Sequence, residues 1–171
     1  MYIGHVGAAL GAKGIRPQVG LGVLLLATYT PDWIDAGLCL AGSPQSMLSH
    51  SVPAVALFAL VATLVYGLAM RDWRSAAVVG GVVVSHMLLD FITGNKPTWP
   101  GGPMIGLRLY SIPVADFLIE GGLIAFGVAL YRRTLPSPRL WRDTALMAGA
   151  LLAMQLAIDI GHAVMRSVQK C

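Results

Sequence analysis

The chain has 171 residues, of which 56% are hydrophobic and 12% are charged, and its formal net charge is +4. This composition excludes an ordinary soluble domain, in which about a quarter of the residues are charged. It indicates a single integral membrane domain that covers residues 1–171. Basic residues flank apolar runs and form no stripe with interleaved aromatic residues, so we expect no nucleic-acid partner.

The N-terminal third contains two short apolar runs, Ile3–Ala12 and Val19–Tyr29. A transmembrane helix needs roughly 17 to 25 mostly apolar residues. We therefore expect a short N-terminal helix followed by a full crossing that ends at the Thr30-Pro31-Asp32 stretch.

Four longer apolar windows follow: Val52–Met70, Ser75–Ile92, Val114–Tyr131 and Ala145–Met165. Each is long enough to cross a bilayer. The expected fold class is all-α, a polytopic membrane helical bundle of about five transmembrane helices plus the short N-terminal helix.

Basic residues divide unevenly between the two sides of a five-crossing bundle. The larger set is Lys13, Arg16, Arg71, Arg74, Arg132, Arg133, Arg139 and Arg142, and the smaller set is Lys96, Arg108, Arg166 and Lys170. Because basic loops stay in the cytoplasm, the larger set predicts the cytoplasmic side. Most acidic residues and the four histidines would then lie near the outer face of a bacterial or archaeal cytoplasmic membrane.

His86 and Asp90 lie four residues apart in an otherwise apolar window. This spacing makes the imidazole and the carboxylate project from the same helix face, where both can reach one ion. A hydrogen-bonded pair is the alternative, and in a soluble helix it would be the commoner one. A charged residue at the centre of a membrane costs about 3 kcal/mol or more, which favours a metal-binding or catalytic use.

Two carboxylates, Asp32 and Asp35, follow the proline that ends an apolar run. Both carboxylates can face the same centre as His86 and Asp90. A capping or turn role is the alternative for Asp32, because Pro-Asp pairs are common in turns.

His50 comes immediately before the second long apolar window. Ser51 can cap the following helix, which accounts for the serine but leaves His50 as a neutral ligand for zinc or another transition metal. A Ser51 nucleophile activated by His50 is disfavoured, because no glycine pattern of an oxyanion hole accompanies it.

The remaining candidates lie near the same predicted level of the membrane. His5 lies on a helix rich in small residues that can pack closely among the others. Asp116 and Glu120 are four residues apart and predict additional ligands, or acceptors for the N–H groups of ligating histidines. Asp159 and His162 are better explained as a buried hydrogen-bonded pair.

An ordered set of motifs resembles the bacterial membrane-bound metal-dependent hydrolases, inner-membrane proteins with a LexA-regulated member. The set is Gly4-His5, Pro31-Asp32-Trp33-Ile34-Asp35, His50-Ser51, and His86 to Asp90 followed by Thr93-Gly94. The resemblance extends to about Glu120. That family is itself similar, in its order of His and Asp residues, to the zinc-dependent phospholipase C and nuclease group.

The resemblance implies a set of metal ligands or their immediate partners: His5, Asp32, Asp35, His50, His86 and Asp90. It implies a divalent metal, zinc by analogy, with two or more ions. A metal-activated water would attack a phosphoester or a lipid head group at the outer membrane interface, with Asp35 or Asp90 as the base. One departure stands out, since Gln45 occupies the position of a histidine usual in the family.

Two other functions remain open. A small ion- or proton-coupled transporter would also need buried carboxylates and histidines. The acidic residues cluster at one face and no inverted repeat is present, which favours the hydrolase. A non-catalytic membrane protein whose helices a metal holds together is the third hypothesis.

Overall fold

A computed structural model describes residues 3–42, 47–135 and 140–164 of the chain. The predictions for Gln45 and for the side chain of His162 fall outside the described residues. The described elements are α1 Gly4–Ile15, α2 Leu21–Thr28, α3 Thr30–Leu40, α4 Val52–Met70, α5 Trp73–Thr93, β1 Lys96–Pro97, β2 Met104–Ile105, α6 Pro113–Tyr131 and α7 Leu140–Val164.

Within the part of the chain that the structure describes, four helical segments are long and apolar enough to cross a membrane: Val52–Met70, Trp73–Thr93, Pro113–Thr134 and Arg142–Gly161. They confirm the all-α bundle and indicate a membrane protein. Large apolar side chains on their outer faces are exposed, as in Leu68 of α4 and Leu118 of α6. In a membrane those faces would contact lipid.

The N-terminal third differs from the single full-length crossing that the apolar run suggested. The chain forms two short consecutive helices, α2 and α3, which meet at Tyr29. Pro31 cannot donate a backbone hydrogen bond back into the preceding turn, so the helical ladder is interrupted there. Eight and eleven residues rise by about 12 and 17 Å, each less than the roughly 30 Å of a hydrocarbon core.

Helix α1 packs against α6 with backbone in contact with backbone. A Cβ added at Gly127 would lie 2.0 Å from the carbonyl oxygen of Gly7, and one added at Gly7 would lie 2.9 Å from Ile124 N. Only glycine permits so close an approach, as in other membrane helix pairs. This contact holds the short α1, and His5 in its first turn, inside the bundle.

The start of α4, the end of α5 and the start of α6 meet at one end of the bundle. A two-residue antiparallel hairpin, β1–β2, lies at this end, with Lys96 opposite Ile105. The N–H of Val52 donates to Thr98 O at 3.0 Å, which joins the hairpin to the start of α4. The polar residues of the candidate site lie at this end.

Candidate metal centre

Helix α5 supplies two buried side chains one turn apart. His86 is fully buried and Asp90 is 2% exposed. Their nearest atoms, His86 Nε2 and Asp90 Oδ2, are 3.5 Å apart. The four-residue spacing therefore does bring both side chains to one helix face, as the sequence predicted.

His50 reaches this face from a short 3-10 turn, Leu48–His50, just before α4. Its Nε2 lies 3.2 Å from His86 Nε2 and 3.4 Å from Asp90 Oδ2. Ser51 occupies the N-cap position of α4, but its side chain makes no capping hydrogen bond. The Ser51 hydroxyl instead donates to Leu48 O at 2.7 Å, which closes the turn that carries His50.

Asp32 extends from the first turn of α3 toward the two imidazoles. Its Oδ1 lies 3.1 Å from His50 Nε2 and 3.8 Å from His86 Nε2. The side chain is 44% exposed, more than the others at the centre. The N-cap residue of α3 is Tyr29, so Asp32 does not occupy the capping position of this helix and lies in its first turn.

Asp35 lies on the opposite side of the His50 ring from Asp32. His50 Nδ1–H donates to Asp35 Oδ2 at 2.8 Å, and Ser49 Oγ lies 3.0 Å from the same nitrogen. Burial works against the charge of Asp35, but hydrogen bonds from His50 and Ser49 outweigh it and lower the pKa of Asp35. Burial likewise opposes a charged His50, yet its hydrogen bonds with Asp32 and Asp35 raise the pKa of His50.

His5 completes the group from α1. Its ring meets His86 edge to face, with centroids 4.0 Å apart, and its Nε2 lies 3.6 Å from Asp90 Oδ1. Within the described part of the chain, neither ring nitrogen of His5 has a hydrogen-bond partner, and His86 Nδ1 has none. Buried polar atoms are rarely left without a hydrogen-bond partner, so these ring nitrogens are candidates to bind a water or a cation.

The donor set fits a divalent cation. The potential ligand atoms of His50, His86 and Asp90 lie within 4.8 Å of one another, as do those of His5, Asp32 and His86. In a tetrahedral zinc site with bonds of about 2.0 Å, neighbouring ligand atoms lie about 3.3 Å apart. Distances of 3.2, 3.4 and 3.5 Å in the first set match this value.

The two ligand sets adjoin each other. Both include His86, and a neutral imidazole nitrogen has one lone pair to offer to one ion. A cation at the His50, His86 and Asp90 set would therefore have His5 and Asp32 next to it, and the predicted number of ions stays a prediction. Imidazole and carboxylate donors together suit zinc or a similar transition metal.

A second polar group lies between α1, α6 and α7. Glu120 Oε2 accepts from the backbone N–H of Gly4 at 3.0 Å, so this carboxylate contacts the backbone beside His5. Asp116 is buried close to Glu120 and Asp159. The predicted role of Asp116 and Glu120 as acceptors for ligating histidines stays a prediction.

Asp159 has a partner that was not among the predicted contacts. Gln155 Nε2 donates to Asp159 Oδ1 at 2.7 Å, and Gln155 Oε1 accepts from Ile3 N at 3.3 Å. Gln155 thus joins α7 to the start of α1. Its four-residue spacing from Asp159 was the available signal for this contact.

Lys96 was also absent from the predicted site. Its Nζ lies 2.9 Å from Asp90 Oδ2, and its side chain is 17% exposed. Lys96 follows the end of α5 after a turn, where helical spacing no longer tells which way a side chain points. No sequence signal was available for this contact.

No family model, curated protein or solved structure matches this chain.

Proposed function

We propose that this protein is a membrane-embedded metal-dependent hydrolase. It would act on a phosphoester or lipid head group at the outer face of the cytoplasmic membrane. One observation carries the proposal: His50 Nε2 and His86 Nε2 face each other at 3.2 Å. Two facing lone pairs at that distance would repel, so the pair is held either by one N–H···N hydrogen bond or by a cation that both nitrogens bind. Asp32 and Asp90 oxygens flank the pair at 3.1 to 3.8 Å, which supplies the negative charge a divalent cation needs.

A divalent ion held there, zinc in our proposal, would lower the pKa of a coordinated water and polarise a phosphoryl oxygen. Asp35 would accept a hydrogen bond from His50 Nδ1–H and so direct the Nε2 lone pair to the centre, a common arrangement behind ligating histidines. Its contact with Nδ1 favours this positioning role for Asp35 over proton abstraction.

Asp90 is the better candidate for the base. Its Oδ2 faces His50 and His86, whereas its Oδ1 is directed toward His5 Nε2 at 3.6 Å. With Oδ2 engaged as a ligand, Oδ1 can accept a proton from the attacking water.

The surroundings of the centre support a substrate presented at the membrane interface. Trp33 of α3 and Trp99 of the hairpin are 63% and 55% exposed. Exposed tryptophans are typical of membrane–water interfaces. Arg71 and Arg74 lie at the other end of α4 and α5, and the preference of basic loops for the cytoplasm would put the centre on the outer side.

Metal analysis and hydrolysis assays on the detergent-purified full chain test the proposal. We expect zinc in the wild type, much less in His86→Ala and Asp90→Asn, and a wild-type level in Asp143→Asn, an exposed carboxylate in the first turn of α7. A panel of phosphodiesters, phospholipids and amides should identify a substrate whose cleavage is lost with the metal.

Three outcomes would contradict parts of the proposal. Unchanged zinc in both site variants would reject the ligand assignment. Bound zinc with no cleavage of any substrate would favour a metal that only holds the helices together. Metal-dependent ion flux in liposomes, without hydrolysis, would favour a transporter.

A further inference from the structure

The ammonium group of Lys96 contacts a carboxylate of the candidate metal centre. Lys96 Nζ is 2.9 Å from Asp90 Oδ2, the oxygen that also lies 3.4 Å from His50 Nε2 and 3.5 Å from His86 Nε2. Lys96 is thus bound to the atom that a metal would need. A cation at the centre and the Lys96 ammonium would share one carboxylate oxygen and repel each other across it.

The backbone around Lys96 is held in place. Lys96 pairs with Ile105 across the hairpin, and Arg108 N donates to Gly94 O at 3.0 Å. The hairpin is also joined to α4 through Val52 N and Thr98 O. If a metal bound Asp90 Oδ2, the Lys96 side chain could change its position while the backbone contacts kept the ammonium within a side-chain length of the centre.

An ammonium displaced from Asp90 needs another anion. Its side chain is mostly buried, and a buried charge without a partner is strongly unfavourable. A substrate group bound next to the metal is in reach, and a phosphoryl group offers several anionic oxygens. A neutral amide would leave the ammonium without a charged partner.

We propose that Lys96 is a substrate-binding residue whose ammonium pairs with an anionic oxygen of the group held at the metal centre, so that the site selects phosphate esters over neutral amides. This inference rests on the proposed metal-dependent function. It assigns to Lys96 the role of a point charge, as lysines play in other phosphate sites.

Inorganic phosphate is the probe, with the zinc-loaded full chain in detergent and titration calorimetry as the readout. We expect Lys96→Gln to bind phosphate roughly tenfold more weakly, the loss of one charge-assisted hydrogen bond. Lys96→Arg should retain most of the affinity because it keeps the charge. Arg74→Gln is the matched control, since it removes one exposed positive charge about 24 Å along α5 from Asp90.

Zinc content, measured in every variant, separates the possible failures. Equal phosphate affinity in Lys96→Gln and Arg74→Gln, with zinc bound in both, would overturn this inference and leave the metal centre standing. Loss of zinc from Lys96→Gln would make Lys96 a structural counter-ion and also overturn it. A wild type that binds no zinc would reject the proposed function, and this inference with it.

Discussion

His50 has both ring nitrogens engaged. Nδ1–H donates to Asp35, and Nε2 faces Asp32 and His86. A carboxylate on Nδ1 fixes the tautomer and the orientation of a ligating imidazole. Asp35 would therefore act on the proposed centre through His50, without needing to contact a metal itself.

Removing the Asp35 carboxylate should weaken metal binding without removing a ligand. We expect Asp35→Ala to lower zinc affinity by about 10- to 100-fold, the usual effect of losing the partner of a ligating histidine. Competition against a chelator of known affinity measures this. Asp143→Ala is the control, and an Asp35→Ala affinity equal to that of the control would reject the positioning role.

At the scale of single elements, α5 matters most because it carries His86 and Asp90. Asp72 caps its first turn, with Ser75 N donating to Asp72 Oδ1 at 3.1 Å and the Ser75 hydroxyl donating to Asp72 Oδ2. These hydrogen bonds from Ser75 lower the pKa of Asp72 below its ordinary value of 3.8. The ionised carboxylate is therefore favoured in the folded state.

The stabilisation from Asp72 should depend on pH. A carboxylate with a lowered folded pKa stabilises the protein fully above its unfolded pKa, and this contribution is lost as the pH falls through the folded pKa. We expect Asp72→Ala to melt at a lower temperature than wild type at pH 6. The difference between the two melting temperatures should shrink below pH 4, and a pH-independent difference would contradict the cap.

The contact between α1 and α6 depends on glycine at Gly7. Alanine normally stabilises a helix interior relative to glycine by roughly 0.5 to 1 kcal/mol. At Gly7 the added methyl would overlap the backbone of Leu123 and Ile124, with its Cβ only 2.8 Å from Leu123 O. We expect Gly7→Ala to lower the melting temperature in detergent.

Gly81 of α5 is the matched control, because a Cβ added there meets nothing within 4 Å. Gly81→Ala should leave the melting temperature unchanged or raise it. Equal effects of the two substitutions would show that α1 and α6 do not require backbone contact.

At the scale of the whole molecule, the candidate centre joins segments that are distant in sequence. His5 comes from α1, Asp32 from α3, His50 from the turn before α4, and His86 and Asp90 from α5. The carboxylates of Asp32 and Asp90 meet the imidazoles of His50 and His86 there. A bound cation would tie these segments together and stabilise only the folded state.

Zinc should therefore raise the stability of the wild-type chain. A ligand that binds only the folded state at 100 times its Kd contributes about 2.7 kcal/mol. We expect the melting temperature to rise on zinc addition and to fall again with a chelator. His86→Ala should show little of this shift, and an equal shift in that variant would place the zinc elsewhere.

The sequence by itself determined the helical membrane class and the side chains available for chemistry. Apolar windows of sufficient length predict membrane helices because the bilayer sets the length, and α4 to α7 follow those windows. The spacing of His86 and Asp90 placed them on one face because both lie within one helix. Such inferences depend on local geometry alone.

Only the tertiary structure decided how the segments meet. The division of the N-terminal run into α2 and α3, the position of Asp35 behind His50, and the contact of Lys96 with Asp90 each depend on where separate segments pack. Helical periodicity ends at each turn of the chain. Contacts across turns are set by close packing, as between Gly7 and Gly127, and no spacing along the sequence encodes them.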